Sequence, residues 1–146
     1  MTRYFEDFAV GDSWTGGPRS VTAEAIVDFS EQFDPLPMHV ERDSEDSMFD
    51  DLIASGWHTG SLTMRLMVDG LLADSAVRAG LGVDDLRWPT PVFPGDELTA
   101  EMDVVGVEAF DEERGRVDLA VTTTNQDDDV VLSMLVKGLF GRRECE

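Results

Sequence analysis

Two histidines, His39 and His58, are the residues of this sequence best suited to acid–base chemistry near neutral pH, because the imidazole charge changes in that range. His39 follows two prolines and lies five residues after Asp34. Five extended residues span roughly 17 Å, so this carboxylate and imidazole can share one substrate only if the segment curls. Two prolines would make such a curl rigid. The segment is therefore a candidate general acid–base pair, and the alternative is a loop aspartate beside an unrelated histidine.

A second candidate site is the segment 52–59, LIASGWHT, which opens a long apolar run. A helix that begins at Gly56 presents unpaired backbone N–H groups and a partial positive charge, and glycine allows a ligand to approach closely. This pattern predicts an oxyanion hole at the Gly56 N–H group. The alternative is that Ser55 and Gly56 only start the helix, with His58 as a packing or hydrogen-bonding residue in its first turn.

The elements that must position these residues begin with a helix over 23–33. Thr22 is its predicted N-cap, and the prolines at 35 and 37 end it. Its apolar stripe is formed by Ile26, Phe29 and Phe33. An acidic loop follows over 41–51.

The central element is predicted to be a helix from Trp57 to about Arg78, buried on most sides and ended by Gly80 and Gly82. After it the apolar period changes from helical to alternating, which predicts strands. We expect them over 86–91, 98–104, 117–121 and 130–140, with turns over 94–96, 111–115 and 125–129. Because the turns are short, the strands pair antiparallel, and the fold class is α+β with the sheet against the long helix.

The chain has 146 residues, which predicts one domain over 1–146. Its 31 acidic residues against 11 basic ones give a net charge of −20, which argues against nucleic acid or an anionic membrane as partner. Only Lys137 among the basic residues is a lysine, and this composition resembles that of proteins from cells with molar salt. The single cysteine, Cys145, excludes an intrachain disulfide. Neither a secretion signal nor a membrane span is apparent, so we expect a cytoplasmic protein.

The order and spacing of these segments resemble the single-domain MaoC-like dehydratases, relatives of the (R)-specific enoyl-CoA hydratases. The similarity runs through residues 4–12 (YFEDFAVGD), 34–39, 52–59 and 86–96 (LRWPTPVFPGD). The family pattern Asp-x-Asn-Pro-x-His is matched by Asp34, Pro37 and His39. Leu36 stands where the family usually has Asn.

The resemblance implies a hot-dog fold, with an antiparallel sheet wrapped around one long helix, and a homodimer with active sites near the subunit interface. Asp34 and His39 would position and activate water, and the Gly56 N–H would polarise a thioester carbonyl. Further contacts to substrate are expected from Leu36, Ser55, Trp57 and His58. No metal or redox cofactor is implied. Arg87, Arg142 and Arg143 are the candidates for contacts with the CoA phosphates.

The resemblance therefore predicts a lyase of fatty acid metabolism that reversibly hydrates a 2-enoyl-CoA to the (R)-3-hydroxyacyl-CoA. Two alternatives stay open: an acyl-CoA thioesterase on the same fold, or a non-catalytic acyl-thioester-binding subunit. The first is disfavoured because thioesterases of this architecture generally lack the Asp-x-x-Pro-x-His arrangement. The second is motivated by Leu36, because leucine cannot offer the hydrogen bonds of an amide.

Overall fold

The computed structural model describes residues 1–144, and Cys145 lies outside them. In this part of the chain, five strands form one antiparallel sheet in the order β1-β3-β4-β5-β2. The elements are β1 (Ser13–Ser20), α1 (Ala23–Phe33), α2 (Pro37–Val40), α3 (Gly56–Gly70), β2 (Val77–Arg87), β3 (Glu97–Ala109), β4 (Arg114–Thr124) and β5 (Val130–Gly141). Short 3-10 turns cover Phe5–Asp7 and Leu72–Asp74.

Helix α1 has the predicted bounds. The Thr22 side chain accepts a hydrogen bond from the Ala25 N–H, as an N-cap should. Its predicted apolar stripe is only partly correct, because Ile26 is fully buried whereas Phe33 is 69% exposed. Pro37 does not simply end helical structure, since it is the first residue of the short helix α2, a position where its missing N–H group is not needed.

Helix α3 is shorter than predicted. It ends at Gly70, where the helix lies so close to β1 that a Cβ would come within 2.8 Å of the Thr15 carbonyl oxygen. The chain turns and enters β2 at Val77, so Gly80 and Gly82 lie inside a strand and do not end the helix. The predicted strand over 86–91 is also wrong beyond Arg87. The first error arises because an apolar run does not distinguish helix from strand by itself. The second arises because Pro89 and Pro91 cannot donate backbone hydrogen bonds to a sheet.

Strand β1 was not predicted, because its glycines and proline are typical of loops. Gly16 is needed there for a close approach, since a Cβ at this position would overlap the Leu66 backbone of α3. β1 and β2 form the two edges of the sheet. The strands β3, β4 and β5 and their connecting turns were predicted correctly, with bounds that extend by a few residues.

The sheet packs on α3, whose neighbouring residues Leu66 and Met67 enter two different apolar clusters. The first cluster consists of Phe8, Met67, Leu71, Leu72, Met102, Val104, Val117, Leu119, Val121 and Phe140. The second consists of Val21, Ile26, Leu52, Ala54, Leu66, Val92, Leu98, Ala100 and Val131. The side of α3 that carries Trp57 and Met64 is not buried, because Trp57 is 62% exposed and Met64 is 48% exposed. This α+β arrangement is the predicted hot-dog fold.

Candidate active site

Asp34 and His39 meet because the segment between them curls. Asp34 caps the end of α1, and its carbonyl oxygen accepts a hydrogen bond from the Leu36 N–H at 2.8 Å. Helix α2 then turns His39 back, so that its Nε2 atom lies 3.4 Å from Asp34 Oδ2. This separation is longer than the 2.7–2.9 Å of a strong charge-assisted hydrogen bond.

The His39 ring is oriented by the strand-like segment that precedes α3. Its Nδ1 atom lies 2.9 Å from the Ile53 carbonyl oxygen, and the Ile53 N–H donates to the Met38 carbonyl at 3.0 Å. A carbonyl can only accept, so Nδ1 carries the proton. In the neutral ring, Nε2 is then left with its lone pair facing Asp34. His39 is only 7% exposed, so this orientation is held by packing as well as by hydrogen bonds.

Ser55 links this pair to the start of α3. Its hydroxyl donates to Asp34 Oδ2 at 2.7 Å and accepts from the Trp57 N–H at 3.3 Å, which makes it the N-cap of the helix. The residue is fully buried. Ser55 therefore positions the carboxylate. It also lines the cleft, and its predicted contact with substrate stays a prediction.

Gly56 is the first residue of α3, and its N–H group has no hydrogen-bond acceptor within residues 1–144. The indole of Trp88 lies against its α-carbon: a Cβ at position 56 would come 2.5–2.8 Å from three atoms of that ring. Only glycine fits this contact without displacing Trp88. The unpaired N–H at a helix start can stabilise negative charge, which is what an oxyanion hole requires.

These groups line one cleft of about 420 Å³. Its lining comprises Asp34, His39, Phe49, Ile53, Ala54, Ser55, Gly56, Trp57, Thr59, Trp88, Pro89, Thr90, Pro91, Val92 and Val131. Five of the seven residues predicted from the sequence are thus brought together. Their arrangement combines an acid–base pair with an unpaired amide in a partly apolar pocket.

His58 does not line the cleft, which argues against its predicted contact with substrate. The helical turn directs it to the opposite side of α3, where its ring stacks on Phe29 with a centroid distance of 4.7 Å. It is only 6% exposed, and burial lowers the pKa of its imidazole. Its Nδ1 atom has no hydrogen-bond partner within the described residues.

Leu36 also lies outside the cleft lining, with its side chain about half exposed. It occupies the N-cap position of α2 with an extended backbone, and no side-chain cap bond is present there. Asparagine is among the best N-cap residues and leucine among the poorest. The residue that the family usually carries here is therefore suited to cap α2. The predicted contact of position 36 with substrate stays a prediction.

Sequence reasoning did not recognise Trp88 to Val92 as part of the site. These residues follow β2 and line the cleft. They lie within the family motif 86–96, and most of them within the strand predicted over 86–91. Their proline-rich composition, directly after a strand, was the available signal for a rigid loop over a site.

The arginines suggested for CoA phosphates lie at two ends of the sheet. Arg87 ends β2 beside Trp88 of the cleft. Arg142 and Arg143 follow the far end of β5, roughly 35 Å along that strand from Val131 at 3.3 Å per residue. Within one chain, Arg87 is thus the candidate near the site.

The family model for the MaoC like domain matches residues 9–126, which is most of the chain. The chain belongs to the MaoC-like family. Its structure is similar to that of a MaoC-like dehydratase from Rhodospirillum rubrum, with 36% sequence identity, a TM-score of 0.88, and coverage of 97% of this chain and 99% of the other.

Two further solved structures share the fold over almost the whole length. A protein from Archaeoglobus fulgidus described as a monoamine oxidase regulatory protein is 30% identical, with a TM-score of 0.90 and coverage of 98% of this chain and 97% of the other. The (R)-hydratase PhaJ1 from Pseudomonas aeruginosa is 23% identical, with a TM-score of 0.77 and coverage of 98% and 88%. The last similarity, at this identity, supports the fold alone.

Residues 1–144 contain no helix that is both long and apolar enough to cross a membrane. Over the same residues, no group of three or more histidine, cysteine or acidic side chains is arranged to bind a metal ion.

Proposed function

We propose that this MaoC-like protein reversibly adds water to a 2-enoyl-CoA and forms the (R)-3-hydroxyacyl-CoA. The observation that carries the proposal is the contact of Asp34 with His39 in a cleft that is also lined by Gly56, whose N–H group has no acceptor within residues 1–144. Acid–base groups and an electrostatic stabiliser are the two requirements of this reaction.

The Asp34–His39 pair would activate the water. Two proton acceptors, the carboxylate and the Nε2 lone pair, face the same space. As the water oxygen bonds to C3 of the substrate, the pair takes one water proton and then returns a proton to C2. The net change is the addition of one water molecule, with no electrons gained or lost, so the proposed reaction needs no redox cofactor.

The Gly56 N–H would bind the thioester carbonyl oxygen. Attack at C3 moves negative charge onto this oxygen, where one well-placed donor stabilises the transition state by about 3 to 4 kcal/mol. The helix start of α3 adds its partial positive charge. Trp88 excludes water from the side of Gly56 that it covers.

The homodimer implied by the family is also part of this proposal, with β2 and the open side of α3 as its interface. β2 is an edge strand of 11 residues with one unpaired side. The exposed apolar side chains on these two elements are Trp57, Met64, Val77, Leu81 and Val83. An unpaired edge and a contiguous apolar face are features that a second copy would cover.

The test of the reaction is the loss of absorbance of the conjugated thioester when crotonyl-CoA is mixed with the protein. Molar salt should be present, because self-repulsion at a charge of −20 destabilises the compact state in dilute buffer. Chiral analysis of the product then tests the (R) configuration. Release of free thiol would identify a thioesterase. Binding of acyl-CoA without turnover would identify a non-catalytic subunit. Either result contradicts the proposal.

Variants distinguish the proposed pair from a background activity. Asp34→Asn removes the carboxylate with little change in shape, and Asp28→Asn is the matched control because Asp28 is an exposed residue of the same helix. We expect turnover to fall only for the first. Equal rates for both variants would exclude Asp34 from the reaction.

The dimer is tested separately by light scattering, where a mass of twice 16.1 kDa is expected. Leu81→Lys or Val83→Lys on β2 should dissociate the dimer, and a monomeric wild type would contradict this part of the proposal.

A further inference from the structure

The edge strand β2 carries an exposed arginine near each end, Arg78 and Arg87. Neither forms an ion pair with a carboxylate of residues 1–144, although the chain has 31 acidic residues. Other arginines, such as Arg42, Arg65 and Arg114, are paired with a nearby aspartate. The two guanidinium groups of β2 are therefore available to an anion from outside the chain.

Within one chain these two arginines are too far apart to bind the same anion. They are separated by roughly 30 Å along the strand, at 3.3 Å per residue. Arg87 directly precedes Trp88 of the cleft, whereas Arg78 lines a cavity of about 1120 Å³ at the other end of β2. That cavity is also lined by glutamates at positions 6, 112, 113 and 144, so it has no surplus of positive charge by itself.

A second copy of the chain removes this separation. The proposed dimer interface contains the β2 edge and the open side of α3, so the two α3 helices lie on the same face of the joined sheet. This arrangement requires a two-fold axis perpendicular to the sheet, about which the two β2 strands pair antiparallel. The exposed side chains of Leu81 and Val83 flank the middle of the strand, where the axis would pass. Arg87 then lies opposite Arg78 of the partner subunit, on strands about 4.8 Å apart.

The chemistry of a CoA thioester fits such a pair. Two guanidinium groups side by side repel each other unless an anion lies between them. A diphosphate can accept paired hydrogen bonds from both, and in CoA the pantetheine arm joins the thioester to a diphosphate. In a chain of net charge −20, phosphates are stabilised only where positive charge is available. Arg87 supplies this charge beside Trp88, which is 41% exposed and whose indole contacts Gly56.

We propose that Arg87 and Arg78 of the partner subunit together bind the diphosphate of the CoA thioester, so that each cleft is complete only in the dimer. This inference rests on the proposed function, because it takes a CoA thioester as the ligand and a two-fold dimer as the assembly. Each copy contributes its Arg78 to the cleft of the other copy, and two equivalent sites result.

The first experiment compares crotonyl-CoA with crotonyl-pantetheine, which lacks the phosphates. Arg78→Gln and Arg87→Gln should each raise KM for crotonyl-CoA by about tenfold or more, the size of losing one hydrogen bond to a charged group. The increase should be much smaller with crotonyl-pantetheine. Arg19→Gln is the control, since Arg19 is an exposed arginine on β1, the opposite edge of the sheet. An equal change of KM with both substrates, or none with either, would contradict the proposal.

The second experiment tests whether Arg78 acts across the interface, by subunit exchange between Arg78→Gln and Asp34→Asn. In the mixed dimer, the cleft that keeps Asp34 receives the intact Arg78 of the partner subunit. Its KM for crotonyl-CoA should return to the wild-type value. A KM that stays raised would show that Arg78 acts within its own chain, and would overturn the proposal.

Two further measurements separate the possible failures. If wild type binds CoA without hydrating an enoyl thioester, the proposed reaction is wrong. Dissociation constants of CoA and pantetheine for the same variants then still decide the role of the two arginines. Dissociation of the dimer by Arg78→Gln in light scattering, without a selective effect on CoA, would assign Arg78 to an ion pair across the interface, for which Asp85 of β2 is the nearby carboxylate. That result would also overturn the phosphate site.

Discussion

The cleft around His39 and the packing surface between α1 and α3 each hold one histidine, and the two are equally buried, at 7% and 6% exposure. Their surroundings differ. Both nitrogens of His39 face polar groups, Ile53 on one side and Asp34 on the other. His58 stacks on Phe29, and its Nδ1 atom has no partner in the described chain. Burial alone therefore does not identify a functional histidine; the groups that its nitrogens face do.

The largest effect that tests this comparison is on catalysis. His39→Ala should lower kcat/KM for crotonyl-CoA hydration by about 10²- to 10⁴-fold, because it removes the proposed proton acceptor. His58→Phe should leave kcat/KM close to wild type, since phenylalanine can keep the stacking on Phe29 and lies away from the cleft. Steady-state rates with circular dichroism of both variants provide the measurement. A large loss in His58→Phe with intact folding would reverse the assignment of the two histidines.

The next effect concerns Gly56, which lines the same cleft as His39. Gly56→Ala keeps the N–H group but introduces a Cβ that would overlap Trp88. We expect kcat/KM to fall by about 10²-fold, the size of losing one oxyanion donor, because either the indole or the helix start must move. A change in tryptophan fluorescence should accompany it. Gly60→Ala in the same helix is the matched control, since its Cβ meets open space; equal rates in the two variants would contradict a precise role for the Gly56 amide.

Features that depend on neighbouring residues could be predicted from the sequence, whereas features that depend on distant contacts could not. The Thr22 cap and the two prolines fixed the ends of α1, because these residues act on the backbone within a few positions. The curl of residues 34–39 could be predicted only as a requirement for Asp34 and His39 to act on one substrate. It depends on the hydrogen bond from the Leu36 N–H and on the contact of His39 with the Ile53 carbonyl. Such contacts are not visible in local spacing.

Other features depend on distant contacts. The sequence left two roles open for His58, a contact with substrate or a packing residue, and the structure favours packing because the helical turn directs this side chain to Phe29. β1 was missed because its Gly16 is required by the α3 backbone, a long-range contact that leaves only a loop-like composition in the sequence. Ser55 lines the cleft, but its hydrogen bond to Asp34 could be recognised only in three dimensions.

A smaller effect is expected on the pH dependence of stability at His58. Burial lowers the pKa of this imidazole in the folded state below its ordinary 6.5, so the unfolded chain binds the proton more readily. The free energy of unfolding should therefore decrease as pH falls below about 6.5. Denaturant titrations at about pH 7.5 and about pH 5.5 measure this, in a range where most carboxylates stay ionised.

His58→Phe is the variant for that measurement. It removes a buried nitrogen without a partner, so at neutral pH it should raise the free energy of unfolding by about 1 kcal/mol. Its stability should also decrease less than that of wild type between the two pH values. Identical pH dependence in wild type and variant would show that another group, and not His58, takes up the proton on unfolding.

The smallest effect concerns the segment that holds His39 in the cleft. Leu36 is the N-cap of α2, with the extended backbone of a cap and no side-chain bond to the helix. Leu36→Asn should supply that bond and raise the free energy of unfolding by about 1 kcal/mol, or the melting temperature by roughly 2 to 4 °C. Because the side chain lies outside the cleft lining, kcat/KM should change little. Leu36→Ser would give a similar gain and Leu36→Ala would not, as expected for capping. A large rise in kcat/KM in Leu36→Asn, without a gain in stability, would instead mean that the amide reaches the substrate or the catalytic water. The wild-type protein would then lack one of the contacts on which the reaction depends.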